Sequence, residues 1–403
     1  MSIFLSEKEM QNWIIDKLSD QDGLYNSIIN IDKLNEFNPK RPEERKIKES
    51  YQFCLKNITL LHLMTDDENI SATKSEILRP DVVAYSTENE SLVLIELKNF
   101  STPTREAGTE LVAYAAELKS YLSYLSDGDI TNVLISPDWP PLVRHFIFNM
   151  IVWQKKNFLC LEPCYDLQGN VSLTPLDINK LVIAEEALKF SFRHLGGFHI
   201  CLYDDEMYNK PTSTSRLHSK LNVIKASMAK MSSDGEKTNS HGFAILCRNL
   251  NERTLAPYTI TLVNVSAFSS IERYFHSPQI SNASQLPRIG QKIYDIYTHY
   301  QPSGFGASMS KIYNSGKAYL EKINCKPRIE VIDTWDVLQV HTHAPYMEMV
   351  HIETWGVFKE KLIEGLNECY EDEYYTPDFN DVDFCMVCIE SLIDQNYEFI
   401  KLF

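Results

Sequence analysis

The chain reads as α/β in its N-terminal half and as α+β in its C-terminal half. Three observations lead there. Up to about residue 165, short apolar runs of strand length alternate with longer segments of helical period. A polar stretch, "DLQGNVSLTPLD" (166–177), then interrupts that alternation. Beyond it, strands and helices follow one another without a regular βα order. At 403 residues the chain exceeds one ordinary core, so two domains are expected, at 1–170 and 180–403.

Residues 6–18, "SEKEMQNWIIDKL", open with Ser6 and carry Glu9 three positions on, the capping box of a helix start. Met10, Trp13, Ile14 and Leu18 form its apolar stripe. Residues 34–49 are polar, contain Pro39 and Pro42, and read as a solvated connection. Residues 50–64 are apolar and fit helix or strand equally. "DVVAYS" (81–86) and "SLVLIELK" (91–98) flank the polar turn "TENE" and predict a hairpin. Residues 105–125 have helical period, with Leu111, Ala115, Leu118, Leu122 and Leu125 on one face. A strand (131–136), a helix from "PPLVRHFIFNMIVWQKK" and a strand "FLCLE" complete the half. Strand, helix, strand, helix, strand implies parallel pairing through right-handed crossovers. In the C-terminal half, strands are expected at 243–248, 258–265 and 328–340, and helices at 268–276, 289–300, 307–323 and 355–370.

Composition narrows the function. A hydrophobic content of 44% is that of a folded chain, not a disordered one. No run reaches the length of a membrane span, and "MSIFLSEKEMQNW" has no basic, apolar leader, so a cytoplasmic protein without a membrane partner is expected. The nine scattered cysteines fit reduced core thiols, including Cys385 and Cys388, whose CxxC lies in an apolar run. The net charge of −16 is spread along the chain, −9 in residues 1–180 and −7 in 181–403. A nucleic-acid partner would need a local basic groove or bridging divalent ions.

The charged end of the hairpin is the chemically informative place. If the hairpin is symmetric about "TENE", residue pairs sum to 177 and Asp81 falls opposite Glu96. Directly opposed residues have Cβ atoms about 4.5–5.5 Å apart, close enough for two carboxylates to share a hard divalent cation. Alternation brings Lys98 to the face of Glu96. Two carboxylates and an ammonium at the end of an otherwise apolar strand suit metal-assisted hydrolysis of a phosphodiester. A solvated strand end and a turn aspartate after Pro80 are the plainer reading of the same residues. The uninterrupted apolar run before Glu96 favours a central, buried strand. On the following helix, Glu110 and Tyr114 stand at i, i+4 on one face.

Pro80-Asp81, then Glu96-Leu97-Lys98, then Glu110-x-x-x-Tyr114 resembles the PD-(D/E)xK, or restriction-endonuclease-like, nuclease superfamily, and most of all its RecB-like branch. The resemblance covers roughly residues 5–165 and implies an αβββαβ core that cuts DNA with Mg²⁺ or Mn²⁺. It makes Asp81 and Glu96 metal ligands, Lys98 the catalytic lysine, and Glu110 and Tyr114 helix residues that support the site or contact DNA. An acidic residue on the first helix would be Glu7, with Glu9 as the alternative. The departure is Glu110, which stands where that branch has glutamine. Its carboxylate either adds a metal contact or weakens the hold on phosphate.

Elsewhere the chemistry is thin. His341 and His343 would share a strand face as a zinc pair, though ordinary strand histidines are commoner. "SGFGASMSK" (303–311) offers two glycines before a helix, near Arg288, Lys292 and Lys311, without the spacing of a P-loop. Gly196-Gly197 reads as a helix end. Residues 364–383, with eight acidic side chains and no basic one, read as a solvated face or loop. The expectation is an Mg²⁺-dependent DNA endonuclease, by analogy a bacterial anti-phage or restriction-type effector. Its C-terminal domain would target, restrain or oligomerise it, in response to an activating protein or ligand. RNA stays open as substrate. The rival readings are a nuclease-fold DNA- or partner-binding module that has lost cutting, and a nuclease of DNA repair or branched-DNA processing.

Overall fold

The computed structural model describes residues 3–19, 23–71, 77–99, 106–182, 188–189, 192–204, 215–251, 253–266, 288–300, 306–370, 377–394 and 398–399. The chain divides into two compact units, Met1–Glu186 and Ala187–Phe403. The division falls beyond the polar stretch 166–177, which instead turns back as an edge strand of the first unit.

In the first unit, α1 (Glu7–Ser19), α2 (Ile31–Glu36) and α3 (Pro42–Asn57) precede the strands β1 (Leu61–Asp66), β2 (Val82–Ser86) and β3 (Ser91–Leu97). Then follow α4 (Glu106–Tyr121), β4 (Ile130–Ile135), α5 (Pro141–Phe148), β5 (Phe158–Tyr165), β6 (Val171–Pro175) and a single turn, α6 (Ile178–Leu181). The strands form one six-stranded sheet in sequence order. β1, β2 and β3 pair antiparallel, β3, β4 and β5 pair parallel, and β6 returns antiparallel. β3 and β4, the central pair, are buried along their whole length. That explains their continuous apolar sequence, since helices cover both faces of a parallel core.

The solvated connection expected at 34–49 is instead largely helical. Pro42 is the first residue of α3, where a missing N–H costs nothing because that group has no intrahelical partner. Glu44 reaches back to accept the Lys40 N–H at 2.7 Å and the Arg41 N–H at 3.3 Å, which closes a capping box. The ambiguous stretch 50–64 resolves into the end of α3 and the start of β1.

The second unit is an α+β fold around a five-stranded antiparallel sheet, in which strand 195–204 lies between 325–334 and 258–265, followed by 242–249 and 347–355. In chain order, its elements are β7 (Leu188–Lys189), β8 (Leu195–Asp204), α7 (Leu221–Lys237), β9 (Gly242–Asn249), β10 (Tyr258–Val265) and α8 (Arg288–Tyr300). They continue through α9 (Ala307–Glu321), β11 (Cys325–Thr334), α10 (Trp335–Thr342), β12 (Met347–Trp355), α11 (Val357–Tyr370), α12 (Val382–Asp394) and β13 (Glu398–Phe399). Met228 and Met231 of α7 and Met309 and Ile312 of α9 pack on one face, against Ile200, Leu246 and Ile260. α10, α11 and α12 cover the other face, with Phe358, Leu362 and Ile389 against Phe243 and Ile245. Cys385 and Cys388 are buried in that second layer as free thiols.

Three expectations change here. The strand foreseen at 328–340 stops at Thr334, because Trp335, Leu338 and Thr342 are buried at helical spacing and Asp336 lies in the first turn of α10. His341 therefore lies on a helix and His343 caps it, its Nδ1 2.9 Å from the Gln339 carbonyl, so the strand-face zinc pair does not exist. Gly196 and Gly197 end no helix but sit inside β8, opposite Asn264 and Val263. A Cβ at Gly197 would lie 2.2 Å from the Leu262 carbonyl oxygen, so glycine is what admits the neighbouring strand. Residues 364–370 and 382–383 belong to α11 and α12, where Glu364 and Glu368 stand on the expected solvated face.

The helix expected at 268–276, residues 303–305 of "SGFGASMSK" and the acidic residues at 371–373 lie outside the described residues. Among the described residues no helix is long and apolar enough to cross a membrane.

Candidate active site

The hairpin register is the one a symmetric turn requires. Ser86 pairs with Ser91 and Val82 with Ile95, so one step further Asp81 faces Glu96 across the end of β2 and β3. Asp81 Oδ2 accepts the Leu97 N–H at 2.7 Å, which fixes its carboxylate over the end of β3. The Lys98 N–H donates to the Ile135 carbonyl at 2.9 Å and extends the β3–β4 ladder by one residue. The lysine thus leaves from a fixed backbone position. Its Nζ reaches Glu96 Oε1 at 2.6 Å and lies 3.0 Å from Glu110 Oε2.

α4 supplies the other wall. Gly108 lets it approach α5, since a Cβ there would lie 2.6 Å from the Phe146 ring. Two residues on, Glu110 meets Lys98, and a turn later Tyr114 donates its hydroxyl to the Arg79 carbonyl at 3.0 Å, tying α4 to the chain just before Pro80. From α1, Glu7 Oε1 accepts the Asn99 N–H at 3.3 Å. Glu9 is engaged at the start of its own helix, taking the Leu5 N–H at 2.6 Å while its N–H donates to Ser6 Oγ at 3.1 Å. Asp81, Glu96, Lys98, Glu110, Tyr114 and Glu7 therefore converge on one end of the sheet, and Glu9 serves the helix start.

Two residues that sequence reasoning missed brace the group. Gln11 is buried and donates Nε2–H to the Asp81 carbonyl at 2.7 Å, while its Oε1 accepts from Lys8 Nζ at 2.9 Å. Asn99 donates Nδ2–H to the Phe4 carbonyl at 3.0 Å. The signal for Gln11 was present: it stands one turn after Glu7 on the inward face of α1, beside Met10 and Ile14.

The electrostatics are those of crowded carboxylates. Burial pushes the Asp81 carboxyl up to about 6, against the pull of the Leu97 N–H and Lys98. Burial, and after it the Asp81 charge, push Glu96 up to about 9. For Lys98 burial works toward neutrality, but Glu96 and Glu110 outweigh it and hold the ammonium above its ordinary range. A neutral Glu96 and an ammonium held by an ionised Glu96 do not coexist. The 2.6 Å contact is that of a charge-assisted hydrogen bond, so Glu96 is ionised against Lys98 and the excess proton belongs to the carboxylate cluster as a whole. Tyr114 is likewise raised, by burial and then by Glu96, Glu110 and Asp81, and stays a hydroxyl donor.

Glu96 is 3% exposed, and its Oε2 is buried without a hydrogen-bond partner. The Glu110 carboxyl lies beside Glu96, so a shared proton or a hard cation is what can satisfy that oxygen. Among the described residues, no three Asp, Glu, His or Cys side chains converge on one cation position as they stand. Mg²⁺ asks for less, since one or two carboxylates and several waters suffice. Asp81 and Glu96 are the pair that would hold it. Compared with known proteins, the chain matches no family model, no curated protein and no solved structure.

Proposed function

We propose that the first unit is a metal-dependent nuclease of the PD-(D/E)xK type, hydrolysing DNA phosphodiester bonds with Mg²⁺ or Mn²⁺. The observation that carries this reading is the bare, buried Glu96 Oε2 beside Asp81 and Lys98 at the end of a central strand. The ion, when bound at Asp81 and Glu96, supplies Lewis acidity toward the phosphoryl oxygen. Asp81 is held in place for this by the Leu97 N–H. Lys98 orients the attacking water or offsets charge on the pentavalent phosphorus, and its strand-anchored backbone keeps it in reach. Tyr114 and Glu110 hold the helix wall of the site. The second unit would target, restrain or oligomerise the nuclease, and a bacterial defence effector is the setting that layout suits by analogy.

The test is a matched cleavage assay on supercoiled plasmid, linear duplex and single-stranded DNA and on RNA, with Mg²⁺, Mn²⁺ or EDTA. Wild type should cut only with metal, and Asp81→Ala and Lys98→Ala should each lose about 10²–10³-fold or more in rate. Equal cutting by all three proteins would remove the site from the reaction. Absence of cutting together with tight, metal-independent DNA binding would establish the binding-module reading instead. A preference for flaps or branched ends would point to DNA processing.

A further inference from the structure

Lys98 stands where a cation of this site has to go. Its ammonium lies between Glu96 and Glu110, at 2.6 and 3.0 Å. Each of those carboxylates keeps one buried oxygen that accepts no hydrogen bond, Glu96 Oε2 and Glu110 Oε2. The Glu110 oxygen thus meets Lys98 at 3.0 Å as an ion pair. Two carboxylates on different elements, β3 and α4, are held together by one ammonium that saturates neither. A glutamine at position 110 would bring no charge to this arrangement.

We infer that Glu110 is a third carboxylate of the cation site and that the Lys98 ammonium holds the seat in the metal-free chain, so a divalent ion and Lys98 compete for Glu96 and Glu110. The inference rests on the reading of Asp81 and Glu96 as metal ligands and adds how that site is regulated. Asp81, Glu96 and Glu110 together carry more negative charge than one ammonium neutralises, and a divalent ion matches it better. The displaced lysine needs a new acceptor, which the phosphate of a substrate supplies. Metal loading and substrate binding are thereby coupled: each frees or engages the partner of the other.

The experiment is Mn²⁺ titration of the full chain by calorimetry and by thermal shift, without nucleic acid. Wild type, Lys98→Met, Lys98→Gln and the double variant Lys98→Met/Glu110→Gln are compared, with near-ultraviolet circular dichroism confirming that each is folded. Both lysine variants should bind Mn²⁺ at least about tenfold more tightly than wild type, the low end for a close charge pair, although neither cuts DNA. Adding Glu110→Gln should take that gain away. Affinity no tighter in either lysine variant, or an affinity in the double variant equal to that of Lys98→Met, overturns the inference while wild-type binding and cutting leave the nuclease reading intact. No Mn²⁺ binding by any of the folded proteins, wild type included, overturns both.

Discussion

Glu96 near the end of β3 and Asp204 at the end of β8 are buried carboxylates in comparable places, at 3% and 1% exposure, in two different sheets. Their surroundings differ in kind. Asp204 Oδ2 accepts from Ser215 Oγ at 2.7 Å and from the Arg216 N–H at 2.8 Å, and its Oδ1 lies 3.4 Å from the Arg216 guanidinium. These donors come from the short segment at 215–216 that it anchors, so its charge holds chain. Glu96 has one ammonium, a bare oxygen, and two other carboxylates around it. A fold has no reason to gather like charges without a ligand to receive them, because each burial costs free energy that only a counter-charge returns. The two buried carboxylates therefore differ in their partners, not in their depth.

The contrast breaks most visibly in stability. Asp204→Ala should cost about 2–4 kcal/mol in urea denaturation, since it strands the Ser215 hydroxyl and Arg216 N–H it satisfied. Glu96→Gln, measured without metal, should leave the transition unchanged or raise it, because it removes charge from an overcrowded site. A large loss at Glu96 and none at Asp204 would invert the assignment.

A smaller effect is expected from pH. The folded chain holds the carboxylate cluster around Asp81 and Glu96 partly protonated above the unfolded range, to about 6 and about 9 against about 4. Between those values the folded state binds more protons than the unfolded one, so stability is full below about pH 4 and declines as pH rises through 6 and toward 9. In EDTA, the thermal midpoint should fall by several degrees from pH 5 to pH 9, at about 2–4 °C per kcal/mol for a unit of this size. Mg²⁺ should reverse most of the fall, and its stabilising effect should grow with pH. An Asp204→Asn variant should keep the same pH trend, whereas Glu96→Gln should flatten it. The smallest effect belongs to Gln11→Ala, which removes one buried bond to the Asp81 carbonyl and should cost about 1 kcal/mol. It sharpens the comparison by testing how far the hairpin is braced from α1.

Local patterns carried much of the first unit. The turn "TENE" was enough for the register that sets Asp81 against Glu96, because in a hairpin the loop length fixes the pairing. Glu9 could be read as a cap from Ser6 alone. The prolines before α3 misled, since Pro42 starts a helix as readily as it ends one. In the second unit, Trp335–Thr342 is helical although "IEVIDTWDVLQV" reads as strand, because burial of Trp335 and Leu338 against the sheet decides the period. Gly196-Gly197 carried two meanings, and the close approach of Leu262 selected one.

What the sequence determined by itself about this protein is the set of short-range facts: a capped first helix, a hairpin of definite register, parallel strands across α4 and α5, and acid and lysine at the end of the central strand. These follow from turn residues and hydrophobic period, whose reach is a few residues. Only the tertiary structure decided that Lys98 bridges Glu96 to Glu110, that Gln11 props the Asp81 carbonyl, that Glu7 faces Asn99, and that one oxygen of Glu96 is left bare. Those contacts join elements far apart along the chain, and their geometry is set by how helices seat on the sheet, which no local pattern encodes.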